Sequence, residues 1–506
     1  MGEKLTSQND IIGVMGAGAM GRGIVQIALS AGYPVKLWDA SADACADAAK
    51  FIARMINRNA EKGNITEAEA ETFIGNLTIL DSMDGYADCT IVAEAILENL
   101  EIKQQVFGDL DKIVSPDCVL ASNTSSLVVA AIASACDHPE RVAGFHFFNP
   151  VPLMKVVEIV QAVRTTDEVV AKLSNFANAM GHRPVVALDT PGFLVNHAGR
   201  AYSTEAFRIV SEGIADYLPV DDVMRDAGGF RMGPFELLDL TGLDVSGAVM
   251  DSIYDQFYQE PRYRPNALVN QRVAAGLYGR KNGAGFYTYE DNKRLPVPEA
   301  KAPDALPKAV CVAHADAAVA DIITDLAEAN GVAIADGEGA DTLCIVTPIG
   351  KDATTTALEL GLNPENVVAI DPLFGLKSRR TLMTTPVTTA DMRDAAWGLL
   401  GKDAVPVTVI HDSPGFIAQR VIAAIVNIGC EIAQQRIAST DDIDPAVELG
   451  LGYPRGPLAY GDFVGADKIL AISEAMFAFY GDPRYRPSSW LKRRAQLGVS
   501  LLTNEG

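Results

Sequence analysis

Short apolar runs alternate with helix-length amphipathic segments over residues 11–189. The runs "IIGVM", "PVKLW", "CTIVAEA" and "CVLAS" predict strands, and the periodic segments Met20–Ala31 and Ala42–Gly63 predict helices. Strands that alternate with helices in this way are typical of a mainly parallel α/β sheet. The first part of the chain is therefore predicted to be an α/β domain.

The hydrophobic pattern changes at "DTPGF" (Asp189–Phe193) and is almost wholly helical from there to about Gly276. The Pro- and Ala-rich segment Asn292–Pro307 predicts a linker. Strand-like runs then return in "AVCVA", "DTLCIV" and "NVVAID", and helices resume after "HDSPGF" (His411–Phe416). The pattern of the first half is thus repeated in the second.

The repeat is also visible as an internal duplication. A shift of 223 residues maps "DTPGF" at 189 onto "DSPGF" at 412, Gly233-Pro234 onto Gly456-Pro457, and Asp239 onto Asp462, and a shift of 222 maps "PRYRP" at 261 onto "PRYRP" at 483. Several separate matches in one register indicate a duplication. The predicted domains are an α/β domain over 1–189, a helical domain over 190–290, a linker over 291–307, a second α/β domain over 308–411 and a second helical copy over 412–506.

The first predicted strand ends in "GVMGAGAMGRG", which contains Gly16-x-Gly18-x-x-Gly21 before a helical run. Such glycines permit a tight turn and a close approach of the backbone to a pyrophosphate, which the helix N-terminus also favours. Asp39 ends the next strand 18 residues after Gly21, where an acid would bind ribose hydroxyls, and "ASADA" after it offers no arginine for a 2′-phosphate. We therefore predict that this domain binds NAD rather than NADP.

The equivalent segment of the second α/β domain is "VCVAHADAAVAD" (Val310–Asp321), which contains no glycine. Its side chains would obstruct a phosphate, and Asp316 would repel one. We expect no cofactor there.

Four cations, Lys50, Arg54, Arg58 and Lys62, recur at intervals of four residues in a predicted helix and so share one face. This stripe is unusual in a chain whose formal net charge is −23. It is either a solvated helix face or a surface that binds the phosphates of an anionic substrate. The overall charge itself argues against a nucleic-acid partner.

His146 lies six residues before Pro152, and Glu158 lies six residues after it. If the flanking apolar runs pair as antiparallel strands, the two side chains face each other, as in many pairs that move a proton. The alternative is a core histidine with no catalytic part. In "ASNTSSL" (Ala121–Leu127), Asn123 and Ser125 follow a strand, where ligands of α/β sheets bind, although a serine there could merely cap a helix.

Composition limits the class of protein. With 48% hydrophobic and 21% charged residues the chain is a globular protein, and its apolar segment Val421–Ala433 is interrupted by Asn427 and Glu431. The N-terminal segment has no apolar core of a secretory signal. Seven scattered cysteines without C-x-x-C predict reduced thiols and no metal site. We expect a cytoplasmic protein without a membrane partner.

Together, "GAGAMG", "ASNTSSL", "GFHFFNPVPLMKVVE", "DTPGFLVN" and "GPFELLDLTGLD" resemble the NAD-dependent L-3-hydroxyacyl-CoA dehydrogenase family, from Ile11 to about Tyr289. The second half resembles the additional domains of longer bacterial members, of the 3-hydroxybutyryl-CoA and 3-hydroxyadipyl-CoA dehydrogenase type. The resemblance implies an α/β Rossmann domain and an all-α C-terminal domain, followed by a degenerate Rossmann-like unit and a second helical copy.

The resemblance also implies roles for individual residues. His146 would be the acid/base, Glu158 its partner, and Ser125 and Asn196 would bind the reacting oxygen. Contacts to NAD would come from Gly16, Gly18, Ala19, Met20, Gly21, Asp39, Glu98, Lys103, Asn123, Ser125, Asn149 and Lys281. Contacts to the CoA substrate would come from Arg54, Lys62 and Ser125, which favours the phosphate-binding interpretation of the stripe.

The second copy departs from the family pattern. Gln419 replaces Asn196, His411 has no matching acid, and no "GRKNGAGFY" follows, so we predict one active site per chain. Because family dimers bury their helical domains against each other, the second copy could replace a partner subunit within one chain, and a homodimer is the alternative. The expected activity is oxidation of a short-chain or dicarboxylic (S)-3-hydroxyacyl-CoA in fatty acid or phenylacetate metabolism. The alternatives are a dehydrogenase of free 3-hydroxy acids and a non-catalytic NAD-binding scaffold.

Overall fold

The computed structural model describes residues 10–505 of the chain. Its strands are β1 (Ile12–Met15), β2 (Val35–Trp38), β3 (Leu77–Ile79), β4 (Ile91–Glu94), β5 (Val119–Ser122), β6 (Val142–Phe147), β7 (Val156–Gln161), β8 (Arg183–Leu188), β9 (Tyr289–Glu290), β10 (Lys293–Arg294), β11 (Ala309–His314), β12 (Ala333–Ile334), β13 (Thr342–Val346), β14 (Val367–Ile370), β15 (Arg380–Thr384) and β16 (Val407–Ile410).

Its helices are α1 (Ala19–Ser30), α2 (Ala42–Glu61), α3 (Glu67–Gly75), α4 (Leu100–Ile113), α5 (Val129–Ala133), α6 (Asp167–Ala179), α7 (Val195–Ala198), α8 (Arg200–Ser211), α9 (Tyr217–Asp226), α10 (Pro234–Thr241), α11 (Leu243–Gln256), α12 (Ala267–Ala274), α13 (Ala317–Ala329), α14 (Ala353–Leu360), α15 (Ala390–Leu400), α16 (Ala418–Gln434), α17 (Thr440–Leu451), α18 (Pro457–Val464), α19 (Ala466–Tyr480) and α20 (Ser489–Leu497). None of these helices between residues 10 and 505 is long and apolar enough to cross a membrane.

The chain folds as two compact units. The first comprises the residues up to His197 together with Gln435–Leu451, and the second comprises Ala198–Gln434 and the residues from Gly452 onward. The first unit therefore contains α17, although the sequence placed this helix in the second helical copy.

An eight-stranded sheet forms the centre of the first unit, in the order β3-β2-β1-β4-β5-β6-β7-β8. Every neighbouring pair is parallel except β6 and β7. Helices α1, α2 and α6 cover one face with apolar side chains, and α4 and α5 cover the other. A sheet that is buried on both faces needs apolar strands, which is why its strands read as continuous apolar runs. The predicted α/β fold is confirmed.

A six-stranded sheet lies in the second unit, in the order β12-β11-β13-β14-β15-β16. It repeats the first sheet, because only β14 and β15 run antiparallel. Helices α13 and α15 pack against it. The predicted second Rossmann-like domain is thus confirmed as a fold, and the predicted linker region begins with the short hairpin of β9 and β10.

The two helical copies pair with each other through α8 and α16 in the second unit. Arg262 donates to the carbonyl of Arg486 at 3.1 Å, and Arg484 donates to the carbonyl of Arg264 at 2.8 Å. Since each pair is related to the other by the 222-residue shift, the copies pack with an approximate two-fold relation. This pairing within one chain is what the duplication predicted.

A carboxylate near the end of each copy binds a later segment of the chain. Asp239 accepts hydrogen bonds from the backbone N–H groups of Phe286 and Tyr287, both at 2.9 Å. Its repeat counterpart Asp462 accepts from the N–H of Leu501 at 2.8 Å and from the hydroxyl of Ser500. The second copy has no "GRKNGAGFY", but an unrelated segment makes the corresponding contact.

Candidate active site

The glycine loop lies between β1 and α1. A Cβ on Gly21 would lie 1.8 Å from the carbonyl oxygen of Gly16, and one on Gly16, whose φ is +101°, would lie 2.5 Å from the carbonyl oxygen of Ala95. A Cβ on Gly18 would meet no protein atom within 4 Å. The fold therefore requires Gly16 and Gly21, whereas Gly18 leaves open space beside the backbone, which fits the approach of a dinucleotide pyrophosphate.

Asp39 follows β2 beside this loop, as the sequence predicted. One of its oxygens accepts a hydrogen bond from the N–H of Ala17 and the other from the N–H of Ser41, both at 2.8 Å. The carboxylate is therefore fixed next to the glycine loop, with Ala19 and Met20 in the first turn of α1.

Glu98 organises the segment that follows β5. Its Oε1 atom accepts from the hydroxyl of Thr124 at 2.7 Å and from the N–H groups of Ser125 at 2.8 Å and Ser126 at 3.1 Å. Burial raises the pKa of Glu98, but the hydrogen bond from Thr124 and the charge of Lys103 outweigh it, so the net pKa is below the ordinary value. Ser125, predicted to face the nicotinamide, is thus held in place by a carboxylate.

Lys103 is 1% exposed and forms ion pairs with Glu94 at 2.6 Å and with Glu98 at 3.4 Å. Its ammonium group balances two acids at the end of β4. Asn123 lies nearby, and its Oδ1 accepts from the N–H of Phe147 at 2.8 Å, which ties the end of β5 to β6.

His146 and Glu158 face each other on β6 and β7, which confirms the predicted antiparallel pairing. Nδ1 of His146 lies 2.5 Å from Oε2 of Glu158. The other carboxylate oxygen accepts from the N–H groups of Leu194 at 2.9 Å and Val195 at 2.7 Å. Because a carboxylate only accepts, the imidazole donates through Nδ1, and its Nε2 lone pair remains as the proton acceptor.

The imidazole lies among aromatic rings. The ring centroid of Phe148 is 4.5 Å from that of His146, and the centroid of Phe193 is 5.8 Å away. Sequence reasoning missed these rings and the N–H donors of Leu194 and Val195. The "DTPGF" motif marked the segment as part of the repeat, but a backbone donor has no residue type by which it could be found.

The remaining predicted residues are placed as follows. Asn149 is exposed at the bend after β6, and Asn196 is half-buried in α7, directly after Val195. Lys281 belongs to the second unit, where its ammonium group pairs with Asp244 at 2.5 Å. The first unit thus brings together all the predicted site residues except Lys281.

The four cations of the stripe are exposed on α2 and at its C-terminal end. Lys50 pairs with Asp47 at 3.4 Å. In the part of the chain that the structure describes, no carboxylate pairs with Arg54, Arg58 or Lys62. These charges are available to an anion.

The second unit has different side chains at the corresponding place. Asp371 follows β14 as His146 ends β6, and its N–H donates to Thr381, which stands where Glu158 stands on β7. Gln419, the counterpart of Asn196, donates to Asp371 at 2.9 Å and accepts from the N–H of Gly350 at 2.7 Å. Burial raises the pKa of Asp371 to about 6. No imidazole–carboxylate pair exists at this position.

The glycine loop, the acid after β2 and the imidazole–carboxylate pair define a nicotinamide-dependent dehydrogenase. Residues 11–190 match the family described as 3-hydroxyacyl-CoA dehydrogenase, NAD binding domain, and residues 192–289 and 415–502 both match the 3-hydroxyacyl-CoA dehydrogenase, C-terminal domain. The chain belongs to the 3-hydroxyacyl-CoA dehydrogenase family. It oxidises a 3-hydroxyacyl-CoA with NAD as cofactor, and the double C-terminal match confirms the duplication.

The chain is 35% identical to 3-hydroxyadipyl-CoA dehydrogenase of Escherichia coli (strain K12), over 96% of its own length and 97% of that protein. A crystal structure of 3-hydroxybutyryl-CoA dehydrogenase from Escherichia coli K12 matches it with a TM-score of 0.86 and 35% identity, covering 96% of this chain and 98% of the other. Mitochondrial hydroxyacyl-coenzyme A dehydrogenase of Homo sapiens is 38% identical over 55% of this chain and 90% of that protein.

Proposed function

We propose that His146, held by Glu158, is the general base that removes the C3 hydroxyl proton of the substrate. The proton passes to Nε2, and the resulting imidazolium is stabilised by the carboxylate at 2.5 Å from Nδ1. Bound NAD supplies the acceptor for the hydride that leaves C3. The C3–H bond and the O–H bond break while the C3 carbonyl forms, so the product is the 3-oxoacyl-CoA. The observation that carries this proposal is the buried His146–Glu158 pair.

Ser125 and Asn196 are proposed to hydrogen-bond the reacting oxygen. Glu98 supports this role for Ser125, since it fixes the backbone of Ser125 and Ser126. Asn196 follows Val195, whose N–H holds Glu158, so the same turn carries both groups. Oriented donors of this kind stabilise the charge that develops on a carbonyl oxygen.

The cofactor is proposed to lie along the glycine loop, with Asp39 on the adenosine ribose. Glu98, Asn123 and Asn149 are proposed to contact its nicotinamide half. Lys103 is buried by its ion pairs, so we propose that it acts on the cofactor by positioning Glu98. Lys281 stays a predicted contact.

The CoA part of the substrate is proposed to bind along the cationic stripe, chiefly at Arg54 and Lys62. The exposure of these side chains and the lack of a carboxylate partner for either within residues 10–505 support this role. A free 3-hydroxy acid has no phosphates for such a stripe. It is therefore the weaker candidate substrate.

For the acyl group we propose a short-chain or dicarboxylic (S)-3-hydroxyacyl chain, 3-hydroxybutyryl or 3-hydroxyadipyl. The similarity to a 3-hydroxyadipyl-CoA dehydrogenase over nearly the whole of both chains supports this proposal. It would place the protein in fatty acid or phenylacetate breakdown in the cytoplasm. The paired helical copies support a chain that replaces the partner subunit of a dimer with its own second half.

The test uses His146→Ala with an NADH absorbance assay on both acyl-CoA substrates and calorimetry for NAD. We expect the NAD dissociation constant to remain within about twofold while kcat falls by about 10²–10⁴. Exposed His138→Ala is the matched control and should behave as wild type. A His146→Ala enzyme with near-normal kcat would refute the assigned base.

A further inference from the structure

Helix α17 comes from the second helical copy but packs on β7 and β8 of the first unit. The N–H of Leu188 donates to the carbonyl of Ile437 at 2.8 Å, just before the helix. Asp442, in the first turn of α17, pairs with Arg183 at 3.3 Å and accepts from the N–H of Val186 at 3.4 Å. The second half of the chain is therefore attached to the strands next to the catalytic pair.

Gly450, in the last turn of α17, lies against Val195. A Cβ on Gly450 would lie 2.9 Å from Cγ1 of Val195, 3.2 Å from its Cγ2 and 3.6 Å from Cγ1 of Val156. Carbon atoms in contact normally lie about 3.5–4.0 Å apart. The helix thus approaches this turn more closely than any residue with a side chain would permit.

Val195 is the residue whose N–H holds Glu158 at 2.7 Å, and Glu158 in turn holds His146. A shift of this turn would move the carboxylate and with it the imidazole. We propose that the second half of the chain positions the catalytic pair, through the contact of Gly450 with Val195. This inference rests on the proposed role of His146 and Glu158.

The repeat supports a matched contact. The 223-residue shift relates Gly450 to Ala227 and Val195 to Ala418, so glycine faces valine in one place where the repeat has alanine at both positions. The attachment itself is also repeated, since the N–H of His411 donates to the carbonyl of Ile214 at 2.9 Å, 223 residues before the Leu188–Ile437 pair at each end. Gly450 and Val195 are thus the residues that distinguish the contact beside the catalytic pair.

The experiment compares wild type with Gly450→Ala and with the double variant Val195→Ala/Gly450→Ala. In Gly450→Ala we expect kcat to fall by at least about tenfold, since a displacement near 1 Å can cost about 10²-fold. KM for NAD should change by less than about twofold, and the midpoint of the kcat–pH profile should move. The double variant should recover most of the kcat of Val195→Ala, because the smaller residue makes room for the new methyl group.

Leu449→Ala is the matched control on the same turn, since this side chain is 41% exposed. It should leave kcat and the pH profile unchanged. A Gly450→Ala enzyme with wild-type kcat and pH profile would overturn the inference, and so would an equal loss in the single and double variants. If wild type itself failed to oxidise either acyl-CoA, the proposed function would fail instead, so the two failures are distinguishable.

Discussion

Glu158 uses both of its oxygens, one toward Nδ1 of His146 at 2.5 Å and the other toward the N–H groups of Leu194 and Val195. All of these partners are donors, so the site requires an acceptor on each side. In Glu158→Gln the amide NH₂ would meet donors on one of the two sides. The negative charge that stabilises the imidazolium would also be lost.

We therefore expect Glu158→Gln to lower kcat by at least about 10²-fold, with little change in NAD affinity. Steady-state kinetics and NAD calorimetry on the variant measure both. Glu140→Gln on the exposed surface is the control. An unchanged kcat in Glu158→Gln would show that the pair has a structural role only.

Gly18→Ala tests the cofactor loop. A Cβ at this position would meet no protein atom within 4 Å, and the backbone φ of −67° suits alanine. We expect an unchanged melting temperature but at least about tenfold weaker NAD binding, because the methyl group occupies the space that a pyrophosphate needs. Gly75→Ala, which is equally unobstructed at the end of α3, should leave NAD binding unchanged. Wild-type NAD affinity in Gly18→Ala would remove the glycine loop from the cofactor site.

Lys62→Ala tests the cationic stripe. An exposed charge pair contributes about 0.2–1 kcal/mol, so KM for 3-hydroxybutyryl-CoA should rise by up to about fivefold at low salt, and by less at high salt. The matching thioester of pantetheine lacks the nucleotide phosphates of CoA, and its KM should be unaffected. Equal effects on the two thioesters would contradict phosphate binding by the stripe.

Asp371→Asn tests the buried acid of the second unit. Burial raises its pKa from 3.8 to about 6, so the folded chain binds more protons than the unfolded chain between about pH 4 and 6. This contribution to stability is present at low pH and is lost as the pH rises through 6. An asparagine keeps the acceptor for Gln419 and Leu373 without the buried charge.

We expect Asp371→Asn to be more stable than wild type at pH 8, by on the order of 3 kcal/mol, and about equal to it at pH 4. Urea denaturation across this pH range measures the difference, with exposed Asp325→Asn as the control. A difference that does not depend on pH would contradict the raised pKa of Asp371.

Much of the site could be predicted because it is encoded in local patterns. The equal spacing of His146 and Glu158 from Pro152 fixed their register, and the glycine spacing with Asp39 identified the loop. The donors of Leu194 and Val195 could not be predicted, since every residue type carries a backbone N–H. The ion pairs of Lys103 also depend on burial, which its position in an amphipathic helix did not reveal.

The domain order could likewise be predicted from periodicity, and the 223-residue shift predicted the duplication. The position of α17 could not, because its apolar face fits any neighbouring sheet. The contact of Leu501 with Asp462 was equally hidden, since the segment that replaces "GRKNGAGFY" has no similarity to it. Long-range packing choices of this kind leave no local signal.

The most direct test of the account is a crystal structure of the complete chain with NADH and a 3-oxoacyl-CoA. We predict that Nε2 of His146 lies within about 3.2 Å of the C3 oxygen of the substrate, with Glu158 still on Nδ1. A C3 oxygen bound by other side chains, with His146 turned away from it, would contradict the account.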